Sequence, residues 1–252
     1  MIRAILFSFT TILLFSSCGF LVHMVTTHAQ NNAGELDTEG KREVASPYND
    51  NNVIFKTNRT FVYEVNEFQR GRHLTFLLEM VIIPGAFNVN ESKIKYKYHY
   101  NPKDLDSMEL IAFGFDGATS YKPEYTSLKE EKNDITFHPP RSKTLVCLEA
   151  APFPSLPPKL KKGVKTKEFL FIPKGSWGKL GGSKITWRYE VDSVTFIKDT
   201  IPYSCIVNAV ADSKKGGYNT LKIHFNTDSG FTKLSYRFQD STAIDLSLKK
   251  IK

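Results

Sequence analysis

The last third of the chain is a series of short segments in which apolar and polar residues alternate, and this pattern constrains the fold most. In residues 184–191, Ile185, Trp187 and Tyr189 share one face of an extended chain. Comparable segments follow at intervals of about ten residues, separated by turn-forming Gly, Asp and Ser: 194–200, 203–211, 220–226, 231–238 and 243–248. Short strands at this spacing predict an antiparallel meander that curves into an open or closed barrel.

The first part of the chain has the same character. Residues 60–68 and 72–83 flank a turn at Gly71 and predict a β-hairpin. The other predicted elements are strands at 93–100, 108–113, 134–137, 143–150 and 168–172, a proline-rich extended stretch at 151–158 and one short helix at 123–132. No helix-sized segments separate the strands, which excludes a parallel α/β sheet. The predicted fold is all-β: one large antiparallel meander with at most one or two short helices.

The start of the chain predicts export. Arg3 precedes an apolar run over residues 4–25, and a Thr-His-Ala triplet ending at Ala29 stands before a polar stretch. This order is typical of a secretory signal peptide that is cleaved after the final small residue. The mature protein is therefore expected in the periplasm or outside the cell.

The expected domain organisation follows from that cleavage site. Residues 1–29 form the signal peptide, residues 30–52 a flexible segment and residues 53–252 a single β domain. Two alternatives stay open. The apolar run is long enough to be an uncleaved membrane anchor, and Cys18 follows a lipobox-like Phe-Ser-Ser, which would make the protein a lipoprotein anchored at Cys18.

The chain carries a formal net charge of +8. In a cytosolic protein this balance would favour nucleic acid, whereas outside the cytoplasm the anionic partners are lipid headgroups, lipopolysaccharide phosphates and acidic glycans. Residues 93–100 mix lysines with tyrosines, but the alternation places the two kinds on opposite faces of a strand. Bases could not stack on the tyrosines while phosphates meet the lysines. We therefore predict no nucleic-acid partner, and a contact with the envelope or a membrane surface instead.

No catalytic residues, metal ligands or cofactor are predicted. After the predicted cleavage site no two histidines have the spacing of zinc ligands; they are His73, His99, His138 and His224. The carboxylates Glu64, Glu67 and Glu79 are scattered over neighbouring strands without an identifiable pair for sugar hydrolysis. An all-β hydrolase is therefore the third hypothesis, behind two non-enzymatic ones.

Two cysteines follow the predicted cleavage site, Cys147 and Cys205. Both lie in strand-like runs, and an oxidising compartment allows a disulfide between them. The alternative is two buried free thiols.

Residues 165–252 resemble a known group of proteins. The matching stretches include a Trp-bearing turn at Trp177 and a Gly230-Phe231 pair near a strand start, and they cover 168–172, 177–191, 205–213, 230–236 and 244–248. They resemble exported bacterial proteins with a periplasmic domain of unknown function, grouped with the half-barrels of Lol-type lipoprotein carriers. The resemblance implies a curved antiparallel sheet whose concave face can hold an acyl chain, and it brings no catalytic residue.

A lipid-like or apolar ligand is the predicted partner. In residues 74–83, apolar side chains occupy both faces of the strand, which a single-layer sheet backed by water does not tolerate. The sequence offers little protein to cover that sheet, so a ligand held in its hollow is the leading hypothesis. The candidate ligand-binding residues are Phe76, Leu78, Met80, Trp187 and Tyr189. The second hypothesis is a structural or adhesive envelope protein with no ligand cavity.

Overall fold

The computed structural model describes residues 52–69, 71–88, 90–105, 124–131, 134–141, 143–174, 180–197 and 201–252. Within them, the strands are β1 (Thr60–Gln69), β2 (Arg72–Asn88), β3 (Glu91–His99), β4 (Glu124–Glu131), β5 (Asp134–Phe137), β6 (Lys165–Phe171), β7 (Lys184–Ile197), β8 (Ile201–Ser213), β9 (Gly217–Asn226), β10 (Gly230–Arg237) and β11 (Ala243–Ile251). Two short 3-10 helices span Pro102–Asp104 and Lys143–Ala150. No helix in the described ranges is long and apolar enough to cross a membrane.

All of these strands belong to one antiparallel sheet in the order β5-β4-β3-β2-β1-β11-β10-β9-β8-β7-β6. The chain runs from the middle of the sheet to one end through β1 to β5, crosses to the other end, and returns through β6 to β11. The last strand then pairs with the first, and Thr60 and Lys252 exchange backbone hydrogen bonds of 3.0 and 2.9 Å. The structure therefore confirms the predicted all-β class, in its open form.

The sheet is strongly curved. The rings of Phe137 on β5 and Phe231 on β10 have centroids only 5.1 Å apart, although five strands lie between β5 and β10 in the sheet order. In a flat sheet, six strand spacings would separate them by about 29 Å. The two side chains meet because the sheet curls round a shared interior, and we call its inner surface the concave face.

Alternation assigns each strand an inner and an outer set of side chains. On β3, Ile94, Tyr96 and Tyr98 are buried on the concave face, whereas the intervening lysines and His99 are only partly covered on the outer, convex face. This confirms the alternation predicted for residues 93–100. The core therefore lies on the concave side, and the convex side faces solvent.

The strand β2 differs from its prediction. Its concave residues are buried, but on the convex face Leu77 is 43% exposed, and Val81 and Ile83 are only partly covered. The prediction that residues 74–83 are buried on both faces is therefore wrong. An antiparallel sheet commonly has one solvated face, and a few apolar side chains on that face are tolerated.

The helix predicted at 123–132 is also wrong, because residues 124–131 form β4. Thr126 and Leu128 alternate inward and pair with Ile94 and Ser92 of β3. The charged residues that favoured a helix lie at the two ends of the strand: Glu124 at its start, and Lys129, Glu130 and Glu131 at its end. Pairing with β3 and β5 buries one face of the segment and outweighs its weak helical propensity.

The strand predicted at 143–150 is a 3-10 helix. A short apolar run does not distinguish a buried strand from a buried helix by its periodicity. Pro139 and Pro140 precede this run and Pro152 follows it, and prolines interrupt a strand ladder because they lack the N–H donor.

Some predicted elements lie outside the described residues. They are the signal peptide at 1–29, nearly all of the flexible segment at 30–52, the strand at 108–113 and the turn at Trp177.

The C-terminal strands are longer than predicted. The separate segments 184–191 and 194–200 are one bulged strand over the described part of β7, with a register shift between Val191 and Ser193. The strand predicted at 203–211 begins earlier, since β8 starts at Ile201 and its Pro202 pairs with Phe196. A bulge lets a strand continue while changing its twist.

Glu130 on β4 fixes the residues that precede β1. Its carboxylate accepts hydrogen bonds from the backbone N–H groups of Val53, Ile54 and Phe55, at 3.0, 3.0 and 2.9 Å. These bonds hold the Phe55 ring in the core, where it is completely buried beside Gly230. The chain just before β1 is thus part of the packed interior.

Candidate ligand-binding site

The five predicted ligand-binding residues all lie buried on the concave face. They form two groups rather than one, because β2 and β7 are separated by five strands in the sheet. On β2, the ring of Phe76 packs against Tyr100 with centroids 4.2 Å apart. On β7, Trp187 and Tyr189 contact residues of another part of the chain. Contact of these side chains with a ligand stays a prediction.

That other part is the connection between β5 and β6. We call residues 138–164 the crossover segment; residue 142 within it lies outside the described part. The segment contains the 3-10 helix Lys143–Ala150, in which residues 144–149 are all buried. The expectation that little protein covers the sheet is wrong, because the apolar run predicted as a strand is itself the cover.

Hydrogen bonds attach the crossover segment to the concave face. Three side chains of the sheet donate to backbone carbonyls of the segment: Tyr96 to His138 (2.8 Å), Tyr189 to Phe153 (3.1 Å) and Asn219 to Ala150 (3.1 Å). The Phe153 ring also packs on Trp187, with centroids 4.5 Å apart. The segment is therefore held at points from β3 to β7 across the curved sheet.

The crossover segment also spans the gap between the two ends of the sheet. Ser155 forms a β-bridge with Thr136 on β5, and the backbone groups of its neighbours bond to the same strand. Burial raises the pKa of Glu168 on β6, and the neighbouring Ser155 side chain acts against that rise. One residue of the segment therefore links the two ends of the sheet.

A cluster of ionisable side chains lies where the crossover segment leaves β5. The Glu124 carboxylate accepts hydrogen bonds from the Tyr98 hydroxyl and from the Arg141 backbone N–H, and Arg141 Nε lies 3.2 Å from Glu124 Oε1. Arg141 Nη1 and His138 Nε2 lie 3.9 and 3.5 Å from Glu149 Oε1. Of these residues the sequence analysis considered only His138, as a zinc ligand, and it did not single out Glu149, the one acid beside the run 144–148.

Burial sets the protonation states in this cluster. Desolvation raises the pKa of Glu149 to about 8, against the opposing effect of the Arg141 charge. Desolvation also lowers the pKa of His138 to about 4, and Arg141 acts in the same direction. At pH 7 Glu149 is therefore mostly protonated and His138 is neutral. An acid and a base with displaced pKa values are typical of proton-transfer sites, but Glu149, on the inner side of the segment, is only 3% exposed.

Three buried polar groups between the sheet and the crossover segment have no hydrogen-bond partner among the described residues. They are the carboxyl of Glu149, the indole N–H of Trp187 and the hydroxyl of Tyr236. The Trp187 ring packs against Phe153 of the segment at an interplanar angle of 38°. Burial raises the pKa of Tyr236, and nearby Cys147 of the segment raises it further. Each such group costs about 1–3 kcal/mol when buried without a partner. The interface is mostly apolar, but it contains two hydrogen-bond donors and a carboxyl group that form no hydrogen bond with the described residues.

Within the described part of the chain, Cys147 and Cys205 are buried thiols that form no disulfide, which is the alternative that the sequence left open. Cys147 lies on the 3-10 helix rather than in a strand next to β8, and its thiol contacts the Thr144 carbonyl at 3.6 Å. Burial raises the pKa of the Cys205 thiol to about 11, so this group stays protonated at neutral pH.

The scattered carboxylates of the first two strands do not face each other. Glu67 points to the concave side, where it is buried, whereas Glu64 and Glu79 are on the convex face and pair with Lys249 and Lys252 at 2.8 and 2.7 Å. Within the described residues, no group of three or more His, Cys, Asp and Glu side chains could hold a metal ion.

No protein-family model and no curated protein matches the chain. Several solved structures are similar. One is from Bacteroides fragilis and is named as an exported protein with a YmcC-like fold; it is 9% identical, has a TM-score of 0.41, and the match covers 78% of this chain and 96% of that one. The hypothetical lipoprotein YmcC from Escherichia coli is 10% identical with a TM-score of 0.30, covering 86% and 96%.

A third similar structure is named as an outer membrane lipoprotein-sorting protein domain, from Vibrio parahaemolyticus. It is 10% identical with a TM-score of 0.33, and the match covers 88% of this chain and 92% of that one. The name of this third structure matches the group that residues 165–252 resemble. At these identities and TM-scores the similarity carries no further inference about ligand or partner.

Proposed function

We propose that the protein is an exported, non-enzymatic binding protein of the cell envelope that takes a lipid-like ligand between its concave face and the crossover segment. The observation that carries the proposal is the interface between the two: an apolar surface that also buries the Glu149 carboxyl, the Trp187 N–H and the Tyr236 hydroxyl without a hydrogen bond to the described residues. Export rests on the predicted signal peptide, residues 1–29.

The crossover segment is suited to being displaced. Its central helix is of the 3-10 type, whose hydrogen bonds have poorer geometry than those of an α-helix. Residues 151–158 contain four prolines, which cannot join a strand ladder continuously. The segment is not a strand of the sheet, so moving it off the concave face leaves the ladders from β1 to β11 unbroken.

The chemistry of the interface favours an amphiphile. Each methylene group of the ligand that is buried on the concave face contributes about 0.8 kcal/mol to binding. An acyl chain of about ten carbons can therefore compensate for the contacts that the crossover segment loses when it is displaced. The neutral Glu149 carboxyl, the Trp187 N–H and the Tyr236 hydroxyl supply donors for a carbonyl or carboxylate headgroup. The predicted ligand-binding residues Phe76, Leu78, Met80, Trp187 and Tyr189 would line the apolar part.

The second candidate is a structural envelope protein with no ligand space. It is favoured by the close contacts of the crossover segment with the sheet, such as Phe153 on Trp187. The two candidates differ in one property: only the first requires the segment to leave the concave face.

The test is a titration of delipidated protein with a fluorescent fatty-acyl probe. We expect saturable binding that unlabelled fatty acid displaces. The Tyr189→Phe variant removes one hydroxyl that attaches the segment at the Phe153 carbonyl. Because one hydrogen bond is worth about 1 kcal/mol, this variant should bind the probe about fivefold more tightly.

The matched control is Tyr63→Phe. This substitution also removes a buried hydrogen bond, in which the Tyr63 hydroxyl donates to the Phe231 carbonyl at 2.9 Å. Phe231 belongs to β10, so this bond does not attach the crossover segment. The probe affinity of this variant should equal that of the unmodified protein. If the unmodified protein and both variants show no saturable binding of the probe, the proposal of a lipid-like ligand is wrong and the second candidate, a structural envelope protein, is favoured.

A further inference from the structure

The strand β6, at one end of the sheet, exposes two aromatic rings to solvent. Phe169 and Phe171 are 54% and 67% exposed. They pair with Thr186 and Lys184 of β7 in the ladder, while Leu170 between them turns to the concave side opposite buried Ile185. Both rings therefore project from the convex face.

Basic side chains surround these rings. Lys184 Nζ lies 3.6 Å from the centroid of the Phe169 ring, and Lys167 Nζ lies 5.1 Å from it. Lys165 and Arg188 share the same convex face and pair there with Glu190 at 3.3 Å and Asp212 at 3.4 Å, which leaves Lys167 and Lys184 as the lysines that lie over the Phe169 ring. Residues 159–174 contain six lysines and a single acid, Glu168. We call Lys165, Lys167, Phe169, Phe171 and Lys184 the β6 patch.

The composition of the β6 patch favours a bilayer over a protein strand. Lysines along a strand at the end of a sheet discourage pairing with another strand. Aromatic rings between lysines instead match a membrane interface, where rings enter the headgroup region and ammonium groups meet phosphates. The predicted export leaves lipid surfaces among the anionic partners of a chain with a net charge of +8.

We infer that the β6 patch docks the protein on the surface of an anionic phospholipid bilayer, with Phe169 and Phe171 inserted among the headgroups and Lys167 and Lys184 paired with phosphates. This surface lies on the convex side of the sheet and does not depend on a ligand in the interior. A protein docked in this way keeps the concave face and the crossover segment on the other side of the sheet from the bilayer.

The experiment is co-sedimentation of the mature chain, starting at Gln30, with vesicles of equimolar phosphatidylglycerol and phosphatidylcholine or of phosphatidylcholine alone. We expect binding to the anionic vesicles only, and its loss at high salt. Lys167→Ser with Lys184→Ser should weaken partitioning by about fivefold for each lysine removed. Phe169→Ser with Phe171→Ser should weaken it by about tenfold or more.

The matched control is Lys93→Ser with Lys95→Ser. These two lysines also lie over an aromatic ring on the convex face: Lys93 Nζ and Lys95 Nζ are 4.7 and 5.7 Å from the centroid of the Tyr125 ring. The double substitution removes the same charge as the β6 variant. The control should lose much less than the β6 variant. Equal losses would show that net charge alone drives binding and overturn the inference, as would the absence of binding to anionic vesicles. A dimer in sedimentation velocity that Phe169→Ser with Phe171→Ser abolishes, with vesicle binding unchanged, would assign the patch to a second copy instead.

Discussion

Replacing Glu149 with Gln should change how the stability of the protein depends on pH. Burial raises the Glu149 pKa to about 8, so between about pH 5 and pH 8 the native state holds a proton that the unfolded state has lost. The contribution of Glu149 to stability is therefore greatest at low pH and falls as the pH rises through that window. The amide that replaces the carboxyl does not titrate. The variant should gain about 3–4 kcal/mol relative to the unmodified protein between pH 5 and pH 8.5.

Denaturant unfolding at several pH values measures this difference. His138, whose pKa is lowered to about 4, is neutral in the native state of both proteins across the window, so its contribution cancels. A flat difference between Glu149→Gln and the unmodified protein across this window would mean that Glu149 is ionised in the folded protein.

Gly230→Ala should be strongly destabilising, although it adds a single methyl group. Gly230 has φ = +73°, and an added Cβ would lie 2.7 Å from Cζ of the buried Phe55 ring. The left-handed conformation costs about 1–2 kcal/mol for alanine, and overpacking of the core adds about 1–3 kcal/mol. We expect a loss of about 3–4 kcal/mol in the free energy of unfolding.

Gly163→Ala separates these two contributions. Gly163 has φ = +82°, and nothing lies within 4 Å of its added Cβ, so only the conformational cost should appear. Combining Gly230→Ala with Phe55→Leu should recover part of the loss, because the smaller side chain leaves room for the methyl group. If the two glycine variants lose the same stability, the packing of Phe55 against Gly230 is not as described.

The sheet was predictable because strand periodicity is a local property. Alternation at Ile185, Trp187 and Tyr189 assigns a buried and an exposed face without knowledge of any partner strand. The same reasoning failed at β4, where pairing with β3 decides the structure of a charged segment. It also failed at residues 143–150, where a short apolar run is equally compatible with a strand or a helix until its surroundings are known.

The candidate site was predictable only in part. The inward position of Phe76, Leu78 and Met80 follows from alternation, but the cover does not, because the crossover segment reaches the sheet through contacts far apart in sequence. His138 and Trp187, which are far apart in sequence, both contact the Phe153 ring, at centroid distances of 4.6 and 4.5 Å. Whether a buried polar group has a hydrogen-bond partner depends on the packed structure, and no local sequence pattern predicts it.

Backbone hydrogen exchange of residues 143–156, with and without saturating dodecanoic acid, tests the displacement of the crossover segment most directly. If the ligand displaces the segment, amides of these residues should exchange faster in the complex, while those of β1 and β11 keep their protection. Saturable binding of the acid with unchanged exchange in residues 143–156 would place the ligand elsewhere and contradict the proposed site.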